Sequence, residues 1–243
     1  MKIVDRNKME DSLKIIKGIE QGSCDWLILR AGKVTASGLK NILTPAMKIR
    51  TGEMPKTYAM QVLAEQWIGG PLPQISGVFD LEYGKIIEGE ARDFFTMNTG
   101  LAVESVAFIE ADDDRFGASP DGIINDCEGL ELKAPAIVTH LKYLNEGVVP
   151  EEYLCQIHGS LFASGFKRWH FCSYRRNFPP LILTVERDEK IMATIAEALE
   201  LFFGNLDAAM AKLVKLNGGL PNQKHRGLKP LPTKDDGRFD IRN

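Results

Sequence analysis

The sequence lacks any apolar run long enough to cross a bilayer, and its opening stretch, MKIVDRNKMEDSLK, is charged throughout. Neither a membrane span nor a signal peptide is therefore expected. Cysteine is scarce: Cys24, Cys127, Cys155 and Cys172 lie far apart with no CxxC pair. That excludes a compact zinc ribbon and a disulfide scaffold, and predicts a reducing cytoplasm. Histidine is equally rare, with four scattered residues. There is no excess of positive charge either, since the net charge is −3. A protein that coats nucleic acid with a uniform positive field is thus excluded, and any such contact must be local. Repeats and low-complexity tracts are missing as well. What remains is a chain of 243 residues, 44% apolar and 26% charged, the composition of a globular protein able to bury a sizeable core in one larger domain.

Residues 9–20 place Leu13, Ile16 and Ile19 at helical spacing and predict a short amphipathic helix that breaks at Gly22. TPAMKIRTGEMP, residues 44–55, reads as a basic loop carrying Lys48 and Arg50. Helical patterns follow at 56–68 and at about 80–97, the second with Ile87, Ala91, Phe94 and Phe95 on one stripe and an end at Asn98 and Gly100. After Gly100 the character changes. LAVESVAFIE, RFGASPDGII and GLELKAP read as successive strands, EEYLCQIHGSLFASG as a helix, RWHFCSYR and LILTVE as strands, and EKIMATIAEALELFFGNLDAAMAKLVKL as a long closing helix. The stretch from Asn217 has three prolines and little apolar content, and predicts an extended tail. The fold class is α/β or α+β, with a mostly helical N-terminal third.

The chemistry concentrates in Ser119-Pro120-Asp121-Gly122, followed by Glu131-Leu132-Lys133. Residues two apart on a strand share a face, so Glu131 and Lys133 look one way while Leu132 points into the core. We place Asp121 at the turn joining this strand to its predecessor, so that a hairpin gathers both carboxylates and the ammonium at one edge. Asp121, Glu131 and the Leu132 carbonyl are hard oxygen ligands of the kind Mg²⁺ takes. Lys133 beside a cation is expected to have a lowered pKa and to hold or deprotonate water. An acid and a base at this spacing more often form a solvated face. Here Leu130, Leu132, Ala134 and Pro135 argue for a central strand, where charges are costly unless a metal or each other satisfies them. Arg30 and the run Thr35-Ala36-Ser37 precede an apolar pattern at Leu39, Ile42 and Leu43, so Thr35 or Ser37 can cap a helix whose free N–H groups, with the guanidinium, attract an anion.

Pro120-Asp121 with Glu131-x-Lys133 is the PD-(D/E)xK nuclease signature, and the wider pattern resembles the exonuclease of bacteriophage lambda and its viral alkaline exonuclease and YqaJ-type relatives. Six blocks in the same order carry the resemblance: Trp26-x-x-x-Arg30-x-Gly32-x-x-Thr35-Ala36-Ser37, Gly84-Lys85-x-x-Glu88, Ser119-Pro120-Asp121-Gly122, Gly129-Leu130-Glu131-Leu132-Lys133-x-Pro135, Tyr153-x-x-Gln156 and Val185-Glu186-Arg187-Asp188-Glu189-Lys190. It implies a restriction-endonuclease-like core, a central mixed sheet flanked by helices, in one exonuclease domain over 1–216. The helical part would be 1–98, the catalytic sheet core 99–216, and the tail 217–243.

The resemblance further implies a Mg²⁺-dependent 5′-to-3′ exonuclease that degrades one strand of duplex DNA to 5′-mononucleotides and leaves 3′ overhangs. Two Mg²⁺ per site are implied, with Mn²⁺ able to substitute. Asp121, Glu131, Leu132 and Glu88 would hold metal, Lys133 would handle the water, and Gln156 would assist at the scissile phosphate. Arg30, Thr35 and Ser37 would grip a 5′-phosphate, with Arg50 and Tyr153 as further DNA contacts and Leu81 as an apolar wedge between terminal bases. His158 stands where these relatives carry glutamine, and Trp26, Trp67 and Trp169 are assigned to packing. The implied partners are phosphorylated duplex ends, two further copies in a homotrimeric ring, and a phage-type single-strand annealing protein, all in the cytoplasm of a bacterial host cell. A ring suits a −3 protomer, because only its channel need be basic. An endonuclease or an exonuclease of other polarity on the same fold, and a non-catalytic end-binding subunit, are the alternatives.

Overall fold

The computed structural model describes residues 14–73 and 78–220, with the backbone alone for 78–86. The chain forms two four-stranded mixed sheets with helices on either side. The first sheet runs β1 (Lys14–Ile16), β3 (Phe108–Glu110), β4 (Phe116–Ala118), β2 (Val34–Thr35). Only β2 and β4 are parallel. The second runs β5 (Gly122–Ile124), β6 (Glu128–Lys133), β7 (Arg168–Ser173), β8 (Leu181–Glu186), with β6 and β7 parallel and the outer pairs antiparallel. Glu104, in the connector before β3, forms an isolated antiparallel bridge with Ile123 of β5.

The parallel β6–β7 pair needs a crossover, and α4 (Ile137–Glu146) and α5 (Glu151–Ser164) supply it. α4 has no counterpart among the expected elements: its apolar Ile137, Val138 and Leu141 are exposed, and the face it buries carries His140 and Tyr143, which do not read as an apolar stripe. The remaining helices are α1 (Cys24–Arg30), α2 (Glu53–Ile68), α3 (Val78–Thr99) and α6 (Glu189–Asn217), with a 3-10 segment at Ala36–Asn41. α6 is capped at its start by Asp188, whose Oδ1 accepts from the Lys190 amide at 2.8 Å, and at its end by left-handed Gly218.

The amphipathic helix expected over 9–20 is not what forms in its described part. Ile15 and Ile16 instead pair with Ile109 and Phe108, and Gly18 at φ +78° cannot continue a helix. Residues 9–13 lie outside the described ones, as do 221–243 of the tail.

The alternation along β6 separates two cores. Leu130 and Leu132 pack against Ile87, Ala91 and Phe95 of α3, which covers one face. Trp169 and Phe171 of β7 join Ile157 and Leu161 of α5 and the apolar stripe of α6 in the larger core on the other. Two glycines permit the close approaches that matter here. A side chain at Gly129 would strike the Trp169 ring 2.2 Å away, and one at Gly159 would meet the Ala36 Cα at 3.1 Å. The second contact lets α5 lie directly on the 3-10 segment, which brings Ser37 beside Gln156 in one cleft.

Candidate active site

β5 and β6 form a hairpin whose turn is Asn125–Cys127, with Asn125 and Asp126 in the left-handed region at φ 51° and 55°. Asp121 is therefore not at the turn, where the sequence reading placed it, but at the open end before β5. There its own N–H donates to the Leu130 carbonyl at 3.0 Å. Its Oδ2 accepts the Leu132 N–H at 2.6 Å, which sets the carboxylate beside the Glu131–Lys133 segment.

Glu131 is 1% exposed, and Lys133 and Gln156 both donate to its Oε1, the latter at 2.6 Å. Its Oε2 is buried with no partner. Lys133 also lies 5.2 Å from the Tyr153 ring centroid. These groups line a cleft of about 250 Å³ together with Gln21, Trp26, Arg30, Ser37, Ser119 and Ser160. A neighbouring cleft of about 490 Å³ shares Ser37 and Gln156 and adds Lys40, Arg50 and Tyr153. A larger cavity of about 630 Å³ between α6 and the end of α5 shares no residue with either, so size does not mark the chemistry.

Burial, then the charge of neighbouring Asp121, pushes the Glu131 carboxyl up to about 8. Burial also raises Asp121, against the pull of Lys133. For Lys133, burial works downward, but Glu131 and Asp121 more than reverse it and hold the amine above its ordinary value. The two carboxylates by themselves keep it an ammonium, a donor that orients; the lowering expected from the sequence is the effect of a neighbouring cation, which works against this pull.

Two buried carboxylates, one with an unpartnered oxygen, are a poor arrangement by themselves and a good one for a hard cation. Asp121, Glu131 and the Leu132 carbonyl between them are the donors that fit it. Glu88 stands apart. It lies on α3, where burial and Asp121 raise its pKa, and its Oε1 accepts from Arg92 at 2.8 Å. Among the described residues no three of His, Cys, Asp and Glu gather in one metal-sized cluster.

Arg30 stacks over the Trp26 ring at 3.9 Å and reaches Ser119 Oγ at 3.3 Å and Ser37 Oγ at 3.5 Å. Trp26 therefore does more than pack: its Nε1 donates to the Ala107 carbonyl and approaches Ser119 Oγ, each at 3.1 Å. Thr35 caps the 3-10 segment by accepting from Gly38 N, and its Oγ1 is 3.2 Å from Ser37 Oγ. Arg50 faces the neighbouring cleft, its Nε donating to the Lys40 and Leu43 carbonyls at 2.9 Å each. Leu81 is on α3, but its side chain is outside those described. His158 is buried with Nδ1 unpartnered, and burial lowers its pKa.

Ser119, Gln21 and Arg92 were not singled out from sequence. Ser119 was visible as the residue opening the Ser-Pro-Asp-Gly block. Gln21, which donates to the Val106 and Pro120 carbonyls at 2.9 and 2.7 Å, lies in a connector with no periodicity to flag it.

A mixed α/β core with an acidic pair and a lysine on one hairpin is a PD-(D/E)xK-like fold. Residues 25–167 match the YqaJ-like viral recombinase domain, and the chain belongs to that family, the lambda exonuclease-like group of phage enzymes. Its structure is similar to the alkaline exonuclease LHK-Exo of Laribacter hongkongensis, with a TM-score of 0.71, 25% identity, 81% of this chain covered and 98% of that one. The same enzyme in complex with dAMP matches with a TM-score of 0.71 at 26% identity and the same coverage. A phage-related exonuclease from Haemophilus somnus 129PT shares the fold at 14% identity, with a TM-score of 0.58 over 74% of this chain and 96% of that one. Among curated proteins none matches.

Proposed function

We propose that the chain is a Mg²⁺-dependent 5′-to-3′ exonuclease acting on duplex DNA ends, releasing 5′-mononucleotides and leaving 3′ overhangs for annealing-based recombination. The observation that carries this reading is the unpartnered Glu131 Oε2, buried beside Asp121 and Lys133 and within one cleft of the Arg30–Ser37–Ser119 group. LHK-Exo, a similar structure, is an exonuclease and has been seen with dAMP, a mononucleotide of the kind this reaction would release.

A divalent cation held by Asp121, Glu131 and the Leu132 carbonyl, and supported by Glu88, would supply Lewis-acid activation of water and charge neutralisation at the leaving 3′-oxygen. Lys133 points its ammonium at the same place and positions the water or a phosphate oxygen. Gln156 fixes Glu131 by its Oε1, which leaves Oε2 as the free ligand atom. Arg30, stiffened by the Trp26 ring and flanked by two hydroxyls, takes the terminal 5′-phosphate in charge-assisted hydrogen bonds. That contact sets the first internucleotide linkage over the acidic pair. Water adds to phosphorus as the bond to the 3′-oxygen breaks, leaving the phosphate on the next nucleotide. Arg50 and Tyr153 extend the binding surface into the adjoining cleft, and Leu81 is proposed as the wedge. Assembly as a three-subunit ring, a single-strand annealing partner and a cytoplasmic location complete the proposal.

Linear duplexes bearing phosphate or hydroxyl at labelled 5′ ends, incubated with Mg²⁺, Mn²⁺ or chelator, test it. Mononucleotides released from phosphorylated 5′ ends only with metal are expected. Internal fragments or attack from 3′ ends would establish one of the other nuclease readings, and end binding without release the non-catalytic one.

A further inference from the structure

Arg92 sits one helical turn beyond Glu88 on α3 and beside Ala91, the residue that packs onto β6. We propose that Arg92 is the positioning residue of the acidic cluster: its single Nη2 group donates to Glu88 Oε1 at 2.8 Å and to the Asp121 carbonyl at 2.9 Å, tying the two acidic segments together. The inference deepens the nuclease reading and rests on it.

The two acids come from different elements, and among the described residues α3 otherwise meets the hairpin through an apolar stripe. Within the hairpin, Asp121 is already held by its N–H on the Leu130 carbonyl and by its Oδ2 on the Leu132 N–H. Its carbonyl is the remaining backbone group, and Arg92 holds it from outside. Both hydrogens of one amino group are used, one for each acidic residue, so the separation of the two is fixed by a rigid planar group. A lysine has the charge but not this fork. Meanwhile Arg92 Nε is buried with no partner. A guanidinium placed for stability alone would turn to satisfy that donor; here the two acceptors of Nη2 dictate where it lies. Supports of this kind behind metal ligands typically change metal affinity or activity by about 10–100-fold when removed.

The test uses the full chain, with Arg92→Gln and Arg92→Lys compared with the unaltered protein. Mn²⁺ binding without DNA, read from the free-ion electron paramagnetic resonance signal, is expected to weaken by roughly 10–100-fold in Arg92→Gln, with kcat falling and the Mg²⁺ needed for half-maximal rate rising in step. KM for the duplex and the preference for a 5′-phosphate stay unchanged, because Arg30 is untouched. Arg92→Lys is expected to fall between the two. If Mn²⁺ binding and kcat of the folded variants match the unaltered protein while only Tm drops, Arg92 is a structural tether and the inference is overturned. Should Arg92→Gln fail to fold, unaltered binding by Arg92→Lys overturns it equally. Failure of the nuclease reading itself is visible separately, as an unaltered protein that digests no DNA.

Discussion

Glu131 carries a cost that a divalent cation would remove, and the cost is measurable as stability. Its carboxyl is buried, and burial reinforced by the Asp121 charge raises its pKa from 4.5 to about 8. Because the folded value lies above the unfolded one, the native protein between those values keeps a proton that the unfolded chain has released. Stability therefore falls as pH rises through that window. Asp121 is shifted in the same direction. Lys133 is raised by the same two acids, and its contribution persists until the pH passes its ordinary 10.5. With about 1.4 kcal/mol for each pH unit over which one extra proton is held, Glu131 gives a loss of roughly 2–5 kcal/mol between about pH 5 and about pH 9. For a chain of this length that is on the order of 5–15 °C in Tm. The assay is thermal unfolding in chelator across this range, for the native sequence and for Glu131→Gln, whose amide oxygen can still accept from Gln156. The native protein should lose Tm steadily, and the variant should lose much less. Mg²⁺ added near pH 8.5 should restore the native protein by ligand linkage and leave the variant where it was. A level native curve, or a variant that falls as steeply, would refute the claim that this carboxylate is buried in want of a cation.

Lys133→Ala should lower turnover by roughly 10²–10⁴-fold, measured as mononucleotide release at saturating Mg²⁺, since it removes the group proposed to position the water. Arg30→Gln should cost about 10–100-fold on 5′-phosphorylated duplexes, the worth of a charge-assisted hydrogen bond of about 1.5–3 kcal/mol, and leave 5′-hydroxyl ends unchanged; equal losses on both would remove Arg30 from end recognition. Gly159→Val should lower stability by about 1–3 kcal/mol in denaturant titration, because its side chain would push α5 off Ala36. Trp169→Ala should cost about 3–5 kcal/mol by the same measure, since the ring is 0% exposed in the larger core.

Long periodic elements were legible in the chain because their burial patterns are one-sided. The stripe Ile87, Ala91, Phe94, Phe95 is the face that α3 lays on β6, and the closing helix begins and ends at its caps. Short elements were not. β1 offers three residues, and its Ile15–Ile16 pair satisfies helical and extended spacing alike until the antiparallel partner at Phe108–Glu110 decides. Asp121 was misplaced in the hairpin, because a Pro-Asp-Gly triplet reads as a turn while Asn125 and Asp126, with no glycine between them, make the actual one. The pull of the two acids on Lys133 could not come from spacing, since it depends on how closely they are buried around it. Arg92 was invisible for a related reason: its partners are a side chain four residues away and a backbone carbonyl twenty-nine residues away, and no pattern of residue types records the latter.

The site is thus a place where folding leaves something unfinished. β6 is flanked on one side by α3 and on the other by α5, so Glu131 is 1% exposed at the floor of its cleft, and among the described residues the positive group paired with it is Lys133. Lys133 meets one oxygen and Gln156 shares it, while the second oxygen meets nothing. An apolar residue at position 131 would make a more stable sheet and a dead site, the trade between stability and activity expected where a site must be strained to bind. The same reasoning explains why so many neutral or positive groups crowd the acids from separate elements: Gln156 from α5, Arg92 from α3, the Leu132 N–H from β6. Each holds an acid in place without satisfying it. Replacing Gln156, the one of these that touches Glu131, by a group that completed the hydrogen bonding of Glu131 Oε2 should raise Tm in chelator and lower the affinity for metal together, because both effects act on the same oxygen.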